Sequence, residues 1–335
     1  MRVNVGVIGV GMIGKDHVRR LTTALAGAQV TAVTDVNAEE AERVAAGLSG
    51  ARAHPTGQDV IFDPSVDAVV VCSWGPTHEE YVLAAITAGK PVFCEKPLAT
   101  TAAACRRIVQ AEADFGRRLV QVGYMRRYDP AYRALKDVVE SGEIGTPLMM
   151  HCAHRNPDVP GHYTKDMAIT DTAVHEIDMV RWMFGEEIVA TEVFTPRRSS
   201  FGGELQDPLI LLLQMQSGAL IDVEISVNIR YGYDIRGEVV GEEGTAALGE
   251  FSPVTVRKNH LYSGSVPQDW RERFLRAYDV EFQEWIDAVA AGGEFGPSAW
   301  DGYAAAVTSD AAVRSLFENC GRVEVVLGDK PALYR

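Results

Sequence analysis

The chain has 335 residues, 47% of them hydrophobic and 23% charged, which is long for one hydrophobic core and suits two globular domains. A formal net charge of −14 repels phosphate backbones and anionic lipid, so nucleic acid and membrane partners are not expected. Cys72, Cys94, Cys105, Cys152 and Cys320 show no paired spacing, and no run approaches the ~20 apolar residues of a spanning helix. These features predict a reduced, cytoplasmic protein without disulfides, a cysteine zinc site or any bound metal.

Val3–Ile8 opens the chain as a short apolar run, a buried strand and not a secretion signal, because Lys15-Asp16-His17 follows at once. Gly9-Val10-Gly11-Met12-Ile13-Gly14 then has the GxGxxG spacing between that strand and a helix over Ile13–Leu25. Gly9 would allow the tight turn, Gly11 a close approach to a pyrophosphate, and Gly14 tight packing of helix on strand. Further valine-rich strands are predicted at Val30–Thr34, Ala68–Cys72, Val92–Cys94 and Leu119–Val122. Helices are predicted between them at Ala38–Leu48, Thr77–Ala88 and Thr101–Phe115. That alternation is a doubly wound parallel sheet, the Rossmann arrangement, over residues 1–122. Asp35 ends the second strand, where a carboxylate can hydrogen-bond an adenosine ribose and repel a 2′-phosphate, so NAD is expected over NADP. Asp35 could instead cap the next helix.

After Gly123 the pattern changes to an α+β domain over residues 123–335, built on a large, mainly antiparallel sheet. Helices are predicted at Pro130–Glu140, Asp171–Phe184, Arg271–Ala291 and Trp300–Glu318. Strands are predicted at Pro147–His154, Ile188–Thr195, Leu209–Met215, Ala219–Val227, Ile235–Val240 and Val254–Lys258.

Two groups carry the expected chemistry. Glu95-Lys96-Pro97 lies at the carboxyl end of a strand, where open α/β sheets bind ligands, and Lys96 could hydrogen-bond a substrate oxygen. Asp171, His175 and Asp178 share one helical face, and two carboxylates beside an imidazole suit a group that takes a proton near neutral pH. An ion pair of Asp178 with Arg181 on the helix surface is the plainer alternative. His151 and His154 cluster near Cys152, but on a strand they face opposite sides, which disfavours joint metal ligation; His154 and Asn156 face the same way and could bind a hydroxylated ligand. Oxidising an alcohol needs a hydride acceptor and a base, which NAD and His175 would supply. A non-catalytic dinucleotide sensor would not need Lys96, Asp171 and His175 together.

The loop GVIGVGMIG, SWGPTHEEY (73–81), CEKPLATT (94–101), QVGYMRRYDPAY (121–132), HCAHRNP (151–157) and DTAVHEIDMVRW (171–182) resemble the glucose-fructose oxidoreductase, inositol dehydrogenase and rhizopine-catabolism (Gfo/Idh/MocA) family. YGYDI (231–235), AYDVE (277–281) and GPSAWDGYAAAVTSDA (296–311) extend the likeness almost end to end. The resemblance implies NAD-dependent oxidation of a ring alcohol, with myo-inositol the leading substrate and another cyclitol or a pyranose such as glucose or xylose the alternative. It implies that His175 is the base, Asp171 its partner and Lys96 the holder of the reacting oxygen. Met12, Ile13, Asp35, Ser73, Trp74, His78, Glu95 and Lys96 would join the glycine loop around NAD. Met125, His154, Asn156, Thr172, Asp178, Tyr233 and Tyr278 would line the polyol pocket. A homotetramer built through the C-terminal sheets is implied as well.

Overall fold

The computed structural model describes residues 2–249, 252, 254–318 and 320–335. The first of its two compact units takes the chain up to Tyr124 with Tyr278–Ala306 and Leu327–Arg335; the second takes Met125–Ala277 with Val307–Val326.

In the first unit β1 (Val3–Ile8), β2 (Ala28–Thr34), β3 (Arg52–Ala53), β4 (Ala68–Val71), β5 (Val92–Glu95) and β6 (Val120–Gly123) form one sheet in the order β3-β2-β1-β4-β5-β6. Every pairing in it is parallel. Between the strands run α1 (Met12–Arg19), α2 (Ala38–Ala46), α3 (Gly57–Phe62), α4 (His78–Thr87) and α5 (Ala102–Phe115). Valine runs suit strands covered on both faces, and Val69, Val70 and Val71 are wholly buried. Each such side chain contributes about 1.5–3 kcal/mol of apolar burial. Asn37, Thr56 and Thr101 cap their helices by accepting an N–H three residues on. The helix expected over Ile13–Leu25 changes at Arg20 into a π-helical turn, Arg20–Ala24, a register change that an apolar period does not reveal.

The second unit contains α6 (Pro130–Ser141), β7 (Pro147–Arg155), α7 (Val174–Phe184), β8 (Ile188–Phe194), β9 (Leu209–Met215), β10 (Leu220–Ser226), β11 (Asp234–Gly241), β12 (Thr245–Ala247), β13 (Thr255–Lys258), β14 (Leu261–Gly264) and β15 (Val323–Glu324). Helices α8 (Trp270–Ala291) and α9 (Ala299–Glu318) contribute residues to both units. Seven strands form a mixed sheet, β12-β11-β7-β10-β9-β8-β15. β9 pairs antiparallel with β8 across a long loop and with β10 across a short turn, whereas β10 runs parallel to β7 because the connection through α7 returns the chain in the same direction. Thr255–Lys258 does not join this sheet but pairs with β14 in a separate hairpin.

Candidate active site

The carboxyl ends of β1, β2, β4 and β5 gather the first set of expected residues. Gly9 leaves β1 with φ +90°, and a Cβ there would lie 2.6 Å from the Cys72 carbonyl oxygen. A Cβ on Gly14 would lie 2.0 Å from the Gly9 carbonyl oxygen, so that position admits glycine alone without rearrangement. Gly11 differs: a Cβ there would meet nothing within 4 Å. Gly11 is the N-cap of α1 and offers no side chain to its first N–H groups, which leaves a donor-rich helix start facing open space. Asp35 braces this loop: Oδ2 accepts the Val10 N–H at 2.7 Å and Oδ1 the Asn37 N–H at 2.9 Å. A carboxylate carries further lone pairs, so this bracing is compatible with a ribose contact. Met12 and Trp74 are exposed apolar side chains, and Ile13 is partly buried. An open glycine loop, an uncapped helix start and an acidic strand end fit a dinucleotide.

Other residues expected around NAD have different surroundings. His78 is buried, with Nδ1 2.7 Å from the Pro97 carbonyl oxygen and Nε2 2.8 Å from that of Ser73, so it ties together the two loops that flank the sheet edge. The Ser73 hydroxyl is 2.7 Å from that of Thr77. Glu95 also turns inward: Oε1 lies 2.7 Å from His17 Nε2, and Oε2 accepts the Lys96 backbone N–H at 3.2 Å. Lys96 is partly buried at the end of β5, and its peptide bond to Pro97 is cis.

The second unit holds the residues expected to do the acid-base chemistry. The helix expected from Asp171 has a π-helical turn, Ala168–Ala173, before α7 begins at Val174. Asp171 therefore sits on the wider turn and His175 on the α-helix, which alters the phase of the expected i, i+4, i+7 stripe. His175 is buried, and its ring centroid lies 6.2 Å from that of His154. The His154 ring meets Tyr233 edge to face at 5.6 Å. Thr172 shares a 2.7 Å hydroxyl contact with Tyr163. Burial, opposed by the Arg126 guanidinium, pushes the Tyr233 phenol up to about 12, so it is a neutral donor at ordinary pH. Met125 is buried in the turn Met125–Tyr128, and Asn156 follows β7, its N–H donating to the Ser226 carbonyl at 2.8 Å.

Asp178 has a basic partner outside its own helix. Arg127 grips it with two contacts, at 2.9 and 2.5 Å, while Arg181 bonds Glu187. His151 is half exposed and sits 2.5 Å from Asp222, on the sheet face opposite buried His154. Among the described residues no group of three or more His, Cys, Asp or Glu side chains could hold a metal ion, and no helix is long and apolar enough to cross a membrane. Tyr278 belongs to the first unit, its ring 5.7 Å from His17 with the Arg20 guanidinium 5.1 Å from the ring centre.

Sequence reasoning missed the buried supports. Arg126 is paired with Glu176 and lies 3.0 Å from His154 Nδ1, and Glu176 Oε2 is 3.1 Å from the same nitrogen. The adjacent Arg126-Arg127 was the available signal, but each has its acidic partner about fifty positions away.

A parallel, doubly wound sheet whose glycine loop opens at a helix start, in a chain that also buries an acid-base cluster, defines a dinucleotide-dependent oxidoreductase. Comparison with known proteins gives the family. Residues 3–124 match the model of an oxidoreductase family's NAD-binding Rossmann fold, and residues 136–325 match the C-terminal alpha/beta domain of the same family. The chain belongs to the Gfo/Idh/MocA oxidoreductase family. It is 55% identical to inositol 2-dehydrogenase of Pseudomonas savastanoi pv. phaseolicola, with all of both chains covered. It is 56% identical to inositol 2-dehydrogenase 3 of Saccharopolyspora erythraea, over 100% of this chain and 98% of the relative. A crystal structure of myo-inositol dehydrogenase from Lactobacillus casei in complex with NAD(H) and myo-inositol superposes with a TM-score of 0.97 at 41% identity, covering both chains fully.

Proposed function

We propose that the chain oxidises myo-inositol at its 2-hydroxyl to the 2-keto compound with NAD. Full-length identity to inositol 2-dehydrogenases supports the substrate. The observation that carries the chemistry is the buried pair of imidazoles, His154 and His175, in one unit with Asp171, Thr172 and Asp178. NAD, when bound, accepts the hydride from the carbinol carbon. His175 takes the hydroxyl proton, Asp171 orients its ring, and the Lys96 ammonium donates a hydrogen bond to the oxygen as negative charge grows on it. Gly9, Gly11, Gly14, Asp35, Ser73 and Trp74 hold the cofactor, with Met12 and Ile13 at the helix start; His78 and Glu95 contribute by fixing the loops and Lys96. His154, Asn156, Asp178 and Tyr233 present polar groups to the ring hydroxyls, and Met125, Thr172 and Tyr278 complete the substrate contacts.

The test is initial-rate NADH formation against stereoisomeric inositols, glucose and xylose, each with NAD and NADP. The expected result is the highest kcat/KM for myo-inositol with NAD. A pyranose turned over better than every inositol would overturn the substrate assignment in favour of a sugar dehydrogenase.

The finer reading includes a cytoplasmic homotetramer joined through the mixed sheets. The outward face of β7, β10 and β11 supports it, a trough of about 950 Å³ lined by His151, Arg155, Asp222, Glu224 and Asp234, with exposed Met149 and Leu220 at its end of the strands. Light scattering on the purified protein should give four copies; a monomer would refute it.

A further inference from the structure

Beneath the strand end that carries Lys96 lies a chain of buried polar groups. His17, in α1, is wholly buried. Its Nδ1 is 2.7 Å from Arg20 Nη1, and its Nε2 is 2.7 Å from Glu95 Oε1. A guanidinium has N–H donors and no acceptor, so Nδ1 must accept and the ring proton must sit on Nε2, where it is donated to Glu95. Arg20 thereby fixes one tautomer. Arg20 is itself buried and is held from its other side by Asp279 at 2.7 Å and Asp16 at 2.8 Å. The imidazole packs on Phe282, ring centroids 4.4 Å apart, with Phe93 at 6.0 Å. Burial, helped by Arg20 and opposed by Glu95 and Asp16, pushes its pKa down, in keeping with a neutral ring.

Glu95 passes this constraint to the catalytic lysine. Its second carboxylate oxygen accepts the Lys96 backbone N–H at 3.2 Å. On the opposite side stands Gly123, where a Cβ would lie 3.2 Å from both Cδ and Oε2 of Glu95. The carboxylate is thus wedged between an imidazole that donates to one oxygen and a residue with no side chain.

We propose that His17 is a positioning residue for Lys96: its Nε2–H, oriented by Arg20, holds the Glu95 carboxylate where its free oxygen caps the Lys96 amide. The direction in which the lysine leaves β5 is then fixed before any ligand arrives. This role rests on the reading that Lys96 binds the reacting oxygen. Misplacing such a group by ~1 Å can cost about 10²-fold in rate.

Two substitutions separate positioning from bulk stability. His17→Asn keeps an acceptor near Nδ1 for Arg20 but has no atom at Nε2, so it releases Glu95. His17→Gln carries an amide donor out to the Nε2 position and restores the contact. On the full-length protein, kcat and KM for myo-inositol are measured beside NADH affinity by fluorescence titration. The expected result for H17N is a kcat lower by about tenfold to a hundredfold with NADH affinity unchanged, and for H17Q recovery of most of that loss. Should H17N not fold, Glu95→Gln reads the same link. Its amide oxygen takes the His17 proton and its NH2 faces the Lys96 N–H, two donors opposed, so kcat should fall likewise. Wild-type kcat in H17N, or in E95Q in its place, would overturn the proposal while Lys96→Ala is inactive. Equal losses of kcat and NADH affinity would overturn it too, by making His17 a structural residue. Turnover retained in Lys96→Ala would remove the lysine's assigned role, and this one with it.

Discussion

Replacing Arg126 with methionine should unfold the second unit at a markedly lower temperature. Arg126 and Glu176 are each about 1% exposed as side chains and are bonded to one another. The substitution leaves the Glu176 contact with His154 but removes the guanidinium from a buried carboxylate. Stranding one member of a buried pair costs about 3–5 kcal/mol. For a domain of this size each kcal/mol moves the midpoint by ~2–4 °C, so the drop should be roughly 6–20 °C. Calorimetry of wild type, Arg126→Met and the double variant Arg126→Met with Glu176→Leu reads this directly. The double variant should recover much of the loss, since it buries no charge. A pH series adds a second reading. Burial alone would raise the Glu176 carboxyl, but Arg126 and His154 outweigh it and hold it below its ordinary value of 4.5. A lowered folded value means that the stabilisation is present above the unfolded value and is lost as pH falls through the folded one. Wild type should therefore show this acid loss and the double variant should lack it. A single variant within about 1 kcal/mol of wild type, or a double variant no more stable than the single, would refute the reasoning.

The glycine loop separates folding from binding. Gly14→Ala forces a methyl carbon toward the Gly9 carbonyl oxygen and should lower Tm, whereas Gly11→Ala enters open space and should keep Tm while losing NADH affinity; wild-type NADH binding by Gly11→Ala would mean that the pyrophosphate does not sit there. Asp35→Ser should narrow the preference for NAD over NADP in kcat/KM, and an unchanged ratio would refute the ribose assignment.

The first unit was legible because its strands are short valine runs buried on both faces, a pattern with few other readings. β3 and α3, two and six residues long, fall below the length at which an apolar period can be read. The π-helical turn before α7 escaped for another reason: one added residue in a turn shifts phase without changing composition. Lys96, Asp171 and His175 could be picked out by chemistry and by resemblance. The buried pairs could not, because Arg126 with Glu176, Arg127 with Asp178 and His17 with Glu95 are joined by tertiary packing across long stretches of sequence. The parallel pairing of β7 with β10 was hidden likewise, since turn residues specify hairpins and a crossover leaves no comparable local mark.

The central claim is that His175 removes the hydroxyl proton, and His175→Ala tests it most directly through kcat for myo-inositol and NADH affinity on the same preparation. A loss of about 10²–10⁴-fold in kcat with NADH binding intact is the predicted result. Turnover close to that of wild type, or equal loss of turnover and binding, would contradict it.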